Sequence, residues 1–116
     1  MSATIIDGKA VAEEITQRVR AGVEAFTARA GRAPHLTAVQ AGDNPASRMY
    51  VKMQEKSCSG VGIDYRLLTL DADIDENRLL AEVGRLNTDD TVDGVILQMP
   101  LPAGIDARTV QASIDP

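Results

Sequence analysis

The sequence predicts an α/β fold: a three-layer domain built on a mainly parallel sheet. Helix-period and strand-like segments alternate along the chain, and the connections between them are short. The length of 116 residues supports one domain, spanning 1–116, with a core that needs no staples.

Each element has its own warrant. Residues 8–30 carry Val11, Ile15, Val19, Val23 and Phe26 at steps of three or four, one apolar helical face. Asp7 is placed to cap that helix and Gly31 to close it. Residues 34–40 read as a strand on Leu36 and the Ala38-Val39 pair. The cluster Ala41-Gly42-Asp43-Asn44-Pro45 is a turn, with Asn44 as cap and Pro45 at the first position of a second helix. That helix runs to about Ser59 and is closed by Gly60 and Gly62. Residues 63–70 are the next strand and 71–75 an acidic loop. Leu79, Leu80, Val83 and Leu86 make a helix of 76–86. Residues 92–98 form a third strand after the Asp89-Asp90 turn, and 106–113 a last short helix.

Composition removes several function classes. Apolar residues are 44% and charged residues 25%, the mix of an ordinary globular protein. A single cysteine, Cys58, permits neither an internal disulfide nor a thiolate zinc cluster, and implies a reducing, cytoplasmic setting. No apolar run reaches the ~18 residues that span a membrane, and the start at Met1 lacks a basic, then apolar, leader pattern. A net charge of −5, 3% aromatics and no Trp argue against nucleic acid as partner. His35 is the only histidine, so neither a His-pair metal site nor a Ser/His triad is expected, and no metal.

Cofactor loops fail as well. Gly60-Val61-Gly62 opens a G-x-G, but Tyr65 stands where the third glycine belongs, and no phosphate-binding P-loop exists. No cofactor-binding residue is therefore expected in this chain. Asp71, Asp73, Asp75 and Glu76 lack EF-hand spacing and read as a solvated loop, and Cys58 has no activating neighbour.

Two stretches remain. In 41–58, Tyr50 and Gln54 are four residues apart on a helix and share a face. A phenol beside a hydrogen-bonding partner is a common catalytic pairing; a half-buried tyrosine with a satisfied hydroxyl fits the same spacing. In 93–102, an apolar strand ends at Gln98, and Pro100 and Pro102 flank Leu101. Ligands of parallel sheets bind outside the carboxyl ends of strands. A plain exit from a strand fits equally.

Taken together, Ala41-Gly-Asp-Asn-Pro-Ala-Ser with Tyr50-Val51 and Lys56, and Asp93-Gly with Gln98-Met-Pro-Leu-Pro102, closely resemble the bifunctional methylenetetrahydrofolate dehydrogenase / methenyltetrahydrofolate cyclohydrolase (FolD-type) family. The opening Ile6-Asp-Gly-Lys9 fits too, and the resemblance runs the length of the chain. It implies a folate-binding catalytic lobe in one-carbon metabolism that feeds purine synthesis. The reactions implied are oxidation of 5,10-methylenetetrahydrofolate with NADP or NAD, then hydrolysis of the methenyl product. It implies catalytic roles for the positions of Tyr50, Gln54 and Gln98. Tyr50, Gln98, Met99, Pro100, Leu101 and Pro102 would contact the tetrahydrofolate substrate. It also implies a homodimer and a following Rossmann domain for NADP. On that reading the present sequence is a fragment: the cofactor domain, a pterin-contacting aspartate and a returning C-terminal helix would all lie past Pro116.

One departure bears on chemistry. The family pattern is Tyr-x-x-x-Lys, and here the fourth residue after Tyr50 is Gln54. Lys52 and Lys56 lie ~200° and ~240° round the helix from Tyr50 and do not share its face. An amide exchanges hydrogen bonds but no protons near neutral pH, so the expectation is weak cyclohydrolase with surviving dehydrogenase. A non-catalytic paralogue that binds folate or a partner is the alternative. A phospho-receiver fits the size, but Ile96 stands where its aspartate is needed.

Overall fold

The computed structural model describes residues 7–116, so the start at Met1 and the Ile6 of the opening motif lie outside the described residues. Asp7 caps α1 (Gly8–Ala30) by accepting from the backbone N–H of Lys9 and Ala10, and Gly31 ends it at φ 75°, a left-handed conformation that costs glycine little. Next come β1 (His35–Ala41), α2 (Pro45–Val61), β2 (Asp64–Leu70), α3 (Glu76–Asn87), β3 (Gly94–Leu97) and α4 (Ala107–Ala112). Six of these begin or end one or two residues from their sequence limits. The third strand shortens most, from 92–98 to Gly94–Leu97, because only those residues pair along β1. Gly60 lies inside the last turn of α2, and Gly62 follows the helix at φ 86°.

The sheet is wholly parallel with order β2-β1-β3. Register pairs Val39 with Leu68 on one side and with Leu97 on the other. The crossover through α2 moves one way from β1 and the crossover through α3 moves back past it, so right-handed connections place the two helices on opposite faces. The core forms on the α3/α4 face. Val39, Leu79, Val83, Leu86 and Val110 are buried together, with Leu68, Leu70, Val95, Leu97 and Leu101 packed around them.

The apolar stripe of α1 is less buried than its periodicity suggests. Val11, Ile15 and Val19 are exposed, and only Val23 and Phe26 are half-buried. The sheet face on that side is covered by α2, and α1 packs alongside α2, where Arg20 donates to the Gly60 carbonyl at 3.2 Å. No helix among the described residues is long and apolar enough to cross a membrane.

Candidate active site

Side-chain alternation decides which residues meet above the sheet. Leu68 and Leu70 of β2 and Leu97 of β3 face the α3/α4 core, so Tyr65 and Gln98, at odd distance from them, face α2. On α2 the inward stripe is Ser47, Val51, Gln54, Cys58 and Val61, at steps of four and three, with Val51 buried against the sheet. Gln54 is the only side chain of that stripe with a long polar head.

These three side chains converge. Gln98 Nε2 donates to Gln54 Oε1 at 2.6 Å, and the Tyr65 hydroxyl donates to the same oxygen at 3.0 Å. Gln98 is 6% exposed, and its backbone N–H donates to the Val39 carbonyl at 2.8 Å, which fixes it at the carboxyl end of β3. Burial pushes the Tyr65 phenol above its ordinary pKa, partly offset by the neighbouring Gln98 amide, so it stays neutral and able to donate. The cluster is thus uncharged, and Gln54 Oε1 is taken from two sides.

The other expected site residues divide. Tyr50 shares the side of Gln54 by helix geometry but is 60% exposed, neither half-buried nor part of the cluster. Met99 and Pro100 are exposed beyond Gln98, across a cis Met99–Pro100 peptide, and Pro102 is half-buried. Leu101 turns instead onto the α3/α4 core. Lys56 lines the groove against α1 and Lys52 a hollow beside Gln40, Leu67 and Thr69, so neither reaches Gln98. Tyr65 was not singled out as a site residue by its local sequence. Its signal was strand parity with Leu68 and Leu70, which needs the register to become visible.

An ion pair stands at each end of the sheet. Asp43 pairs with Arg48, whose guanidinium holds the carboxyl below its ordinary pKa. Gly42, at φ 79°, donates to the Leu70 carbonyl at 2.8 Å. At the opposite end Asp93 accepts from Arg32 at 2.7 and 3.0 Å and from the His35 backbone N–H at 2.8 Å, and Arg32 first, then that N–H, lower its pKa to about 2. His35 starts β1 and shares its ring nitrogens between Asp64 and Thr37. Burial raises the pKa of the Cys58 thiol, which favours the unreactive form.

A nicotinamide nucleotide does not fit these residues. Gly60 and Gly62 lie where α2 leaves for β2, not where a strand enters a helix. The strand-to-helix junction at 41–45 carries the Asp43 carboxylate, and Pro45 offers no N–H at the helix start. A diphosphate would have to displace the Asp43 carboxylate from Arg48 there.

The fold and cluster define a parallel α/β lobe with a part-buried polar cluster at the strand carboxyl ends, beside the central strand where the sheet order reverses, the place where such sheets bind ligands. The profile of the tetrahydrofolate dehydrogenase/cyclohydrolase catalytic domain matches residues 6–116. The bifunctional protein FolD of Sorangium cellulosum is 47% identical over 116 residues, covering all of this chain and 40% of that protein. The 5,10-methylenetetrahydrofolate dehydrogenase of the silkworm Bombyx mori superposes with a TM-score of 0.88 at 38% identity, over 99% of this chain and 40% of that one. The Trypanosoma brucei methylenetetrahydrofolate dehydrogenase-cyclohydrolase, solved with NADP cofactor and an inhibitor, gives 0.81 at 31% over 100% and 40%. The chain belongs to the tetrahydrofolate dehydrogenase/cyclohydrolase catalytic-domain family. It spans about 40% of the length of the curated relatives it matches.

Proposed function

We propose that residues 1–116 form the folate-binding catalytic lobe of an NADP-dependent methylenetetrahydrofolate dehydrogenase whose cyclohydrolase activity is weak. One observation carries the second half of this reading: the residue four after Tyr50, bonded to Gln98 at 2.6 Å, is an amide. The nucleotide is held by a segment outside these residues. NADP is favoured by the cofactor in the Trypanosoma relative.

Within the lobe, the exposed Tyr50 ring offers a stacking face to the pterin, and Gln98 with Met99 and Pro100 borders the reacting bridge. Pro102 and the Leu101 backbone form the adjoining wall. Hydrolysis of the methenyl bridge asks more of the protein. Water adds to the bridge carbon and loses a proton, after which one carbon–nitrogen bond breaks and that nitrogen gains a proton. Both transfers are general acid–base work, and the Gln54 amide performs neither. A homodimer working in the cytoplasm, supplying one-carbon units for purine synthesis, completes the proposal on the strength of the family's motifs.

The test is to assay the full-length gene product for both reactions. Oxidation of 5,10-methylenetetrahydrofolate with methenyl hydrolysis at least about a hundredfold below it supports the reading. Comparable rates overturn the cyclohydrolase half. Folate binding with turnover in neither reaction overturns the enzyme assignment in favour of a non-catalytic binding protein.

A further inference from the structure

We propose that Tyr65 is a positioning residue for Gln54: it locks the amide so that its NH2 group is presented as a fixed, neutral hydrogen-bond donor to the folate. The inference deepens the functional reading above and rests on it for the identity of the ligand.

The geometry is specific. A glutamine side chain has three rotatable bonds, and the single bond from Gln98 would leave the amide plane free to turn about that contact. The Tyr65 hydroxyl supplies the second donor, at 3.0 Å from the same Oε1 that Gln98 Nε2 meets at 2.6 Å. With Oε1 engaged from two sides, the opposite edge of the amide, Nε2, carries the remaining capacity, and no described residue accepts from it. Buried side-chain donors and acceptors among the described residues all have partners, so Nε2 lies where a ligand or solvent reaches it. Tyr65 suits this task because it is half-buried and its phenol is held neutral by burial. It is anchored by β2, whose backbone pairs along all seven residues with β1. A serine or leucine at 65 would not span the gap to α2.

The consequence is a division of labour. Gln98 is already fixed by its own strand, Tyr65 fixes Gln54 from the other side, and Gln54 faces the substrate. The site then recognises an acceptor atom of the folate through a preset amide, with no proton gained or lost. Preorganised donors contribute more than mobile ones because little freedom is lost on binding.

The experiment uses the full-length protein with selectively 15N-labelled glutamine. The side-chain NH2 signals of Gln54 and Gln98 are assigned by their loss in Gln54→Leu and Gln98→Leu. Tyr65→Phe is expected to shift the Gln54 signal and speed its hydrogen exchange, with the backbone spectrum otherwise kept. It is also expected to raise KM for methylenetetrahydrofolate by about three- to tenfold, the effect of one lost neutral hydrogen bond. In a Gln54→Leu background Tyr65→Phe should change KM no further, since the group it orients is gone. An unmoved Gln54 signal, or an undiminished Tyr65→Phe effect without Gln54, overturns the positioning role. A moved Gln54 signal in a protein that neither binds nor oxidises folate overturns the functional reading and leaves the positioning role standing.

Discussion

Replacing Gln54 by lysine tests the proton argument directly. The new ammonium enters the space now held by the Gln54 amide, between the Tyr65 hydroxyl and Gln98. Gln98 turns its amide to present Oε1, and the Tyr65 oxygen, freed from donating to Gln54, accepts from the ammonium, so the charge is received by two neutral acceptors. No carboxylate bonds to any of the three side chains. Partial burial therefore lowers the lysine pKa from about 10.4 toward neutrality, while Glu55, close enough to influence Tyr65, works the other way. A well-tuned acid–base group contributes about 10²- to 10⁴-fold, or roughly 3–5 kcal/mol of barrier. With tuning incomplete and one lysine hydrogen held by Tyr65, the lower end is expected: about a hundredfold gain in methenyl hydrolysis, with dehydrogenase changed only a few-fold. The assay follows loss of the methenyl chromophore in the full-length protein without nucleotide. Unchanged hydrolysis in a variant that keeps its circular dichroism, thermal midpoint and folate affinity refutes the reasoning.

Other perturbations follow from the scaffold. Asp93 ties the Arg32 turn to the start of β1 through Arg32 and the His35 N–H. Because its folded pKa is about 2, against an ordinary 3.8, its contribution is complete above the unfolded value and disappears as pH falls through 2. Asp93→Asn should lower the thermal midpoint by a few degrees at pH 7, with both partners' exposure limiting the effect, and the gap to wild type should narrow in denaturation curves taken below about pH 4. Gly42→Ala places a Cβ at 3.0 Å from the Ala72 Cβ in a left-handed backbone, φ 79°. Strain and displacement should together cost about 1–3 kcal/mol in urea unfolding, and a loss under ~0.5 kcal/mol would show that the 41–44 loop yields easily.

Most of the architecture was legible because local and global signals agree. Asp7 and Gly31 cap α1 at the expected residues, Leu79, Val83 and Leu86 of α3 all reach the core, and the strand–helix alternation yields a parallel sheet. The limits of β3 were less so, since apolar Val92 reads as strand while pairing with β1 starts only at Gly94. The apolar face of α1 was legible but not its exposure, since periodicity states which face is apolar, not what covers it. At the site, Gln98 was visible as the polar end of an apolar strand and Gln54 as the i+4 partner of Tyr50. Tyr65 was not, because its meeting with Gln54 joins β2 to α2 and depends on register, which no local pattern specifies.

The same contact reframes the substitution at 54. A lone Lys-to-Gln change would leave a half-buried, rotatable amide beside Gln98, with one bond to hold it. Here a phenol from the edge strand completes the cluster, and the two lysines nearest in sequence, Lys52 and Lys56, are exposed and border other hollows. Every polar side chain in the cluster is neutral and bonded. An unsupported lesion would leave a dangling group at this depth; a site built for fixed hydrogen-bond donation without proton transfer would look like this one. The local structure therefore favours Gln54 as a settled feature of the lobe, matched by Tyr65; on the proposed reading, the separation of the two folate reactions would rest on this one amide and the hydroxyl that orients it.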